Sequence, residues 1–204
     1  MSRRDVVKSL LRSAAVGAGE QLAALGVTSS LKRTLSSLAS GRMFIPDARL
    51  TAAVARVPEV VAATVTTRDG SMRIDLSFRD SPPLVMGFAP LSVTFATHGA
   101  KEWSVRVEPP AAALDPRCGD VLTALAGEVA RSLWGPFLRR EPPRGRLAFA
   151  HREHDVLIVD LRTLPEVRAA LSQRLYATGI DALALQDIVA ADGGIRLHPR
   201  LPGL

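Results

Sequence analysis

Between residues 69 and 79 the chain reads Asp-Gly-Ser-Met-Arg-Ile-Asp-Leu-Ser-Phe-Arg, and this stretch limits the fold more tightly than any other. Met72, Ile74, Leu76 and Phe78 alternate strictly with Arg73, Asp75, Ser77 and Arg79. A period of two places the apolar side chains on one face of a strand and the polar ones on the other, so the segment needs a core on one side and water on the other. Asp69-Gly70 suits a tight hairpin, which makes Val60 to Thr67 the antiparallel partner. The pattern continues through Leu84 to Phe88, through Leu91-Val93-Phe95 beyond Pro90, and through Trp103-Val105-Val107 after His98-Gly99. These segments predict an antiparallel meander with one solvated face.

Such a sheet needs a cover for its apolar side. Asp115 and Pro116 form a cap and first-turn pair, after which Val121, Leu122, Leu125, Val129 and Leu133 recur at helical spacing up to Trp134-Gly135-Pro136. This predicts a helix lying on the sheet. A shorter helix, Ala48 to Val57, is stopped by Pro58. Residues 139–146, with two prolines and a glycine, read as a long internal loop. Strands follow at Leu147 to Ala150 and Val156 to Leu161, the second with its apolar run Val156-Leu157-Ile158-Val159 flanked by Asp155 and Asp160. Thr163-Leu164-Pro165-Glu166 reads as a capping box opening a helix with Val167, Leu171 and Leu175 inward and Gly179 as its stop. A final hairpin joins Ala182 to Val189 with Gly194 to His198 across Asp192-Gly193. The expected class is α+β, an antiparallel meander sheet covered by helices, with an N-terminal amphipathic helical arm. The expected division is a basic arm over 1–43 and one α+β domain over 44–204, with 44–138 and 146–204 as its subdivision.

The charge is unevenly spread. Residues 1–43 hold seven cations (Arg3, Arg4, Lys8, Arg12, Lys32, Arg33, Arg42) against Asp5 and Glu20, a net +5, while the remainder holds nineteen cations and eighteen anions. An acidic partner is therefore expected at the arm. Nucleic acid is not expected, because the chain has only nine aromatic residues and none interleaves with the basic cluster to form a stacking platform. Within the arm, Val6, Val7, Leu10, Leu11, Ala14, Ala15 and Leu22 share one helical face, and Asp5, Ser9, Arg12, Ser13 and Glu20 occupy the other. Ser2 with Asp5 fits an N-cap box. A second segment, capped by Thr28 to Ser30, carries Leu31, Leu35 and Leu38 before Ser40-Gly41. No stretch approaches the roughly 18 consecutive apolar residues of a membrane-spanning helix.

The common catalytic signatures are missing. The sequence has no glycine-rich phosphate loop between a strand and a helix and no Gly-x-Ser-x-Gly elbow. Its single cysteine, Cys118, excludes an internal disulfide and a multi-cysteine zinc site, and reads as a small core or boundary residue near Arg117. His151-Arg152-Glu153-His154-Asp155 is the densest polar cluster, but it joins two strands, whereas the His and Glu spacings of metalloproteases belong to a helix. Arg139, Arg140, Arg144 and Arg146 form a second basic group that reads as a solvated loop. No catalytic residue, metal or cofactor is expected.

Ser2-Arg3-Arg4-Asp5-Val6-Val7-Lys8 resembles the twin-arginine export signal, a resemblance that implies translocation across a membrane. The order of a long helix, a curled antiparallel sheet and a terminal strand pair, Leu183-Ala184-Leu185 with Gly193-Gly194-Ile195-Arg196-Leu197, resembles the tubular lipid-binding domains. That resemblance implies an apolar ligand and carries over no ligand residue. The expected function is a non-enzymatic module for an apolar ligand or a membrane surface, contacting anionic lipid through Arg3, Arg4, Val7, Lys8, Leu11 and Arg12. The alternative is an assembly subunit that docks residues 2–25 in a protein partner's groove. The expected location is cytoplasmic or peripheral to a membrane, with export as the competing route.

Overall fold

The computed structural model describes residues 43–95, 99–135, 138, 151–153, 155–173, 176–177, 180–181 and 184–200. The arm, the 139–146 loop and the strand expected at Leu147 to Ala150 lie outside them. The described residues form an α+β fold. Strands β1 (Met43–Pro46), β2 (Val60–Arg68), β3 (Ser71–Phe78), β4 (Leu84–Phe95), β5 (Lys101–Glu108), β6 (His151–Glu153), β7 (Val156–Asp160), β8 (Ala184–Ala191) and β9 (Gly194–Arg200) are joined by helices α1 (Asp47–Val54), α2 (Pro116–Trp134) and α3 (Pro165–Leu171). Six strands make one sheet in the order β2-β3-β4-β5-β7-β6, and three make a second in the order β1-β9-β8. Every paired neighbour is antiparallel.

The large sheet has the face that the alternation predicts. Cross-strand register lines up Thr67, Met72, Phe88 and Val107, then Val65, Ile74 and Met86, and all seven side chains are buried. Trp103 and Val105 face Val159 and Leu157 of β7 and extend the same apolar surface. The opposite face carries Arg73, Asp75, Ser77, Arg106 and Glu108. Asp69 and Gly70 adopt φ of 51° and 81°, the pair of positive values a two-residue hairpin of primed type requires.

The meander needs one correction. Residues 84–95 form a single strand rather than two, with a bulge between Pro90 and Ser92. Proline lacks the N–H that a ladder needs, and the extra residue lets pairing resume beyond it. Leu91 is consequently turned outward and exposed, while Val93 and Phe95 keep the inner face.

Helix α2 covers that face. Asp115 is its N-cap, accepting from the Arg117 N–H at 2.9 Å, and Pro116 occupies the first turn. Val121, Leu122, Leu125, Val129 and Leu133 are all buried, as the spacing predicts, and Cys118 joins them. Each such side chain contributes about 1.5 to 3 kcal/mol. The α1 helix starts one residue before its expected first residue and ends at Val54, where a non-helical turn leads to Pro58.

The last third of the chain departs from expectation at three points. Thr163 is not an N-cap, for its hydroxyl donates to the Asp160 carbonyl at 2.7 Å within the 3-10 turn Leu161–Thr163, and Leu164 precedes α3 with no capping side chain. Pro165 in the first turn needs no N–H partner, which reduces the demand for a cap. The helix ends at Leu171 with Ser172 as its C-cap, and the Leu175 and Gly179 assigned to it lie outside the described residues. Residues His151–Glu153 pair with β7 as strand β6 and do not lie in the connecting turn.

A second sheet was not anticipated as a separate unit. Strand β1 pairs with β9 in the register Met43↔Leu197 and Ile45↔Ile195, and β8 lies over β4. Gly194 is required there, since an added Cβ would stand 2.9 Å from Pro46 Cα and closer still to the Ile45 carbonyl oxygen. Gly194→Ala should therefore unfasten the small sheet and lower the thermal midpoint, whereas a Leu125→Ala truncation should cost about 2 to 5 kcal/mol in urea denaturation. A Leu125 loss below about 0.5 kcal/mol, near the range of exposed positions, would show that α2 is not the cover.

Candidate functional site

Arg3, Arg4, Val7, Lys8, Leu11 and Arg12, the expected contact residues, lie outside the described residues. What the fold does place is the point where their arm joins it. Met43 and Ile45 of β1 are buried in the core, so residue 43 is a fixed anchor. Phe44, between them, points outward and is 42% exposed. Its cross-strand partner is the exposed Arg196, and next in the same row stands the part-buried Val189. The outer face of the small sheet thus sets Phe44 across from Arg196 in register where the basic arm begins.

A second constellation was missed in the sequence. Lys101 opens β5 on its inner face, in phase with Trp103, Val105 and Val107, and its exposure is 0%. Its ammonium donates to the Asp181 carbonyl at 3.3 Å and lies 5.8 Å from the centre of the Phe95 ring, its cross-strand neighbour. Phe95 stacks on Trp134, the last residue of α2, with centroids 6.1 Å apart. Arg162 closes the corner, donating to the Gly99 carbonyl at 2.9 Å and approaching Asp181 Oδ1 to 4.0 Å. The indole N–H groups of Trp103 and Trp134 are both buried and meet no acceptor among the described residues. The signal was available: a lysine in register with three core residues is a cation committed to the interior.

A third group holds the helices together. Glu128 of α2 receives Arg49 of α1 and, at 3.2 Å, Arg131 from its own helix, while Arg131 reaches Glu166 of α3 at 3.6 Å. Both carboxylates are more than nine-tenths buried, and a Cβ on Gly127 would lie only 3.4 Å from Glu166. Two acids and two arginines across three helices form a charge-balanced brace among the described residues, and removal of Arg131 would take from the buried Glu166 the cation that reaches it. At the far edge of the large sheet Glu59, Val60, Val61, Arg79 and Asp80 line an open cleft of about 390 Å3.

The polar segment at residues 151–155 is divided by the fold. Residues 151–153 belong to β6, and Asp155 turns to Arg106, with its carboxylate 3.6 Å from Nε. Among the described residues no three His, Cys, Asp or Glu side chains cluster as metal ligands, and no helix is long and apolar enough to cross a membrane. The chain matches no family model, no curated protein and no solved structure.

Burial pulls the Lys101 pKa below its ordinary 10.5, with Asp181 opposing the shift and Arg162 adding to it. Below its folded pKa the lysine is protonated in both the folded and the unfolded chain, and the folded chain bears the cost of a buried charge. Between that pKa and 10.5 the unfolded chain holds a proton that the folded chain has lost, so stability rises with pH across this window. Lys101→Met should equal or exceed the parent in stability at neutral pH and should lack this alkaline rise. Urea denaturation across the window measures both, and parallel profiles for the two chains would show that Lys101 does not titrate there.

Proposed function

We propose that this chain is a non-enzymatic module that binds an anionic membrane surface, with the basic arm as the electrostatic contact and the outer face of the small sheet as its apolar footing. The observation that carries the reading is the Phe44–Arg196 row at the root of a +5 arm. Near an anionic leaflet each lysine or arginine contributes about 1 kcal/mol. Burying one aromatic side chain adds about 1.5 to 3 kcal/mol. Neither contribution is a stable anchor alone, and peripheral binding of this kind relies on two signals acting together. Here both leave the fold at one place. The amphipathic face of residues 6–22 supplies further apolar contact in the same reading.

The full chain should co-sediment with vesicles containing phosphatidylserine and not with pure phosphatidylcholine, and added salt should weaken the binding. Phe44→Ser and the combined Arg3, Arg4, Lys8 and Arg12→Gln variant should each reduce it. Leu11→Asp should abolish it with the thermal midpoint unchanged. A fall in midpoint with vesicle binding intact would mean that Leu11 packs on its own domain and would overturn the reading. Absence of salt-sensitive binding in the parent chain would favour a protein partner on residues 2–25.

A further inference from the structure

We propose that the cleft at the start of β2 receives residues Arg4–Lys8 of the chain's own arm, and that this contact withholds the arm from the membrane until an anionic surface competes for it. The regulatory half rests on the membrane reading, whereas the contact itself does not. Glu59, Val60, Val61, Arg79 and Asp80 line the cleft, which is open and about 390 Å3 in volume. Among the described residues no hydrogen bond or ion pair engages the side chains of Glu59, Arg79 or Asp80. Glu59 does bear on Arg117, but that guanidinium already has a carboxylate partner in Asp115 at 2.6 Å. The cleft therefore offers two anions, one cation and two valines.

The arm carries the counterpart. Arg4-Asp5-Val6-Val7-Lys8 brings two cations, one anion and two valines. Arg4 and Lys8 match Glu59 and Asp80, Asp5 matches Arg79, and Val6-Val7 match Val60-Val61. Asp5 is the discriminating residue. An anionic leaflet repels it, so lipid contact gives it no role, while Arg79 attracts it. The other anion of the arm, Glu20, has no cation nearer than Arg12 and offers no such pattern. Thirty-four residues separate Lys8 from Met43 and span at most about 110 Å, which is enough to reach any face of the described fold.

The lining of the cleft departs from the locally favoured backbone at two places. The Val60 N–H donates to the Val57 carbonyl at 3.3 Å across Pro58-Glu59, and Glu59 has a φ of 70° where such a turn favours glycine. The register shifts between Val60 and Ala62, so Val61 stands outside the pairing and is 65% exposed. Glycine at 59 would relieve the first departure, yet the chain keeps a carboxylate there. Exposed ion pairs are individually weak, which suits a contact that an anionic surface has to displace. Residence on one chain raises the effective concentration enough for weak pairs to be occupied.

In a 15N-labelled full-length sample, Arg4→Glu with Lys8→Glu should shift the amide signals of Val60, Val61 and Asp80 and leave those of Val156–Val159 on β7 unmoved. The shifts should not depend on protein concentration. Glu59→Gln with Asp80→Asn should free the arm and raise affinity for phosphatidylserine–phosphatidylcholine vesicles by about fivefold. The comparison is with Asp75→Asn and Glu108→Gln, which remove the same charge away from the cleft. Cleft signals unmoved by the arm substitutions, or moved only as concentration rises, would overturn the contact within one chain. Equal vesicle affinity in the two charge-matched variants would overturn its regulatory role. A parent chain that binds no vesicles would remove that role together with the membrane reading, and the amide signals would still decide the contact.

Discussion

Water has to be kept from the inner face of the large sheet, and much of the architecture follows from how that is done. Met72, Ile74, Met86, Phe88, Trp103 and Val105 project from one side of strands whose other side is solvated. A helix laid across that face covers it only if nearly its whole circumference is apolar or satisfied, because the small sheet and α1 close over the fold from the remaining directions. Helix α2 meets the condition with Val121, Leu122, Leu125, Val129 and Leu133, and it carries one exception in Glu128. An ionised carboxylate there needs cations at contact distance. Arg49 and Arg131 supply them, and by reaching Glu166 as well, Arg131 ties α3 to the same helix. The brace among the helices is thus a consequence of enclosing α2.

The exposed edge of β2 is treated with equal economy of means. A nine-residue strand that is all valine, alanine and threonine up to its final Arg68 is, with a free edge, a template for unwanted pairing. Helix α1 runs beside it and answers its backbone with side chains. Asp47 accepts from the Thr67 N–H at 3.0 Å and from its hydroxyl at 2.7 Å, and Thr51 accepts from the Val65 N–H at 3.0 Å. Gly193, at the tip of the β8–β9 hairpin, donates to the Thr67 carbonyl at 3.1 Å. One edge is therefore closed by a helix and a hairpin that belong to the other sheet, which joins the two sheets through hydrogen bonds as well as through packing.

Local rules made the first part of this fold legible. Alternation placed Met72 to Phe78 and Trp103 to Val107 on the correct face, Asp69-Gly70 marked its hairpin, and Asp115-Pro116 with the Val121 to Leu133 stripe placed α2. Where readings failed, a distant partner had overruled a local pattern. Pro90 looked like a break, yet the neighbouring β5 continues past it and holds Val93 and Phe95 in register through a bulge. Thr163-Leu164-Pro165-Glu166 has the letters of a capping box, but Glu166 is drawn to Arg131 on another helix and Thr163 to the turn behind it. The pairing of β1 with β9 has no local sign at all. Of the candidate sites, the Phe44–Arg196 row needed the register between those two strands, which only the folded chain supplies. The Lys101 corner was half legible, because the phase of β5 sends that lysine inward, whereas Phe95, Trp134, Arg162 and Asp181 come to it from four separate parts of the sequence.

The pairing of Met43 with Leu197 also bears on how the chain is made. A ribosome adds about 5 to 20 residues each second, so β1 is made roughly eight to thirty seconds before β9 exists. During that interval Met43 and Ile45, which end up buried, have no strand to lie against, and the long loop closure that finally joins them is a late and slow event. The strand ends in Pro46, which cannot donate to a neighbour. A strand free of proline at this position would spend the same seconds as a more complete open edge in a crowded cell. Pro46 is thus suited to the wait imposed on β1.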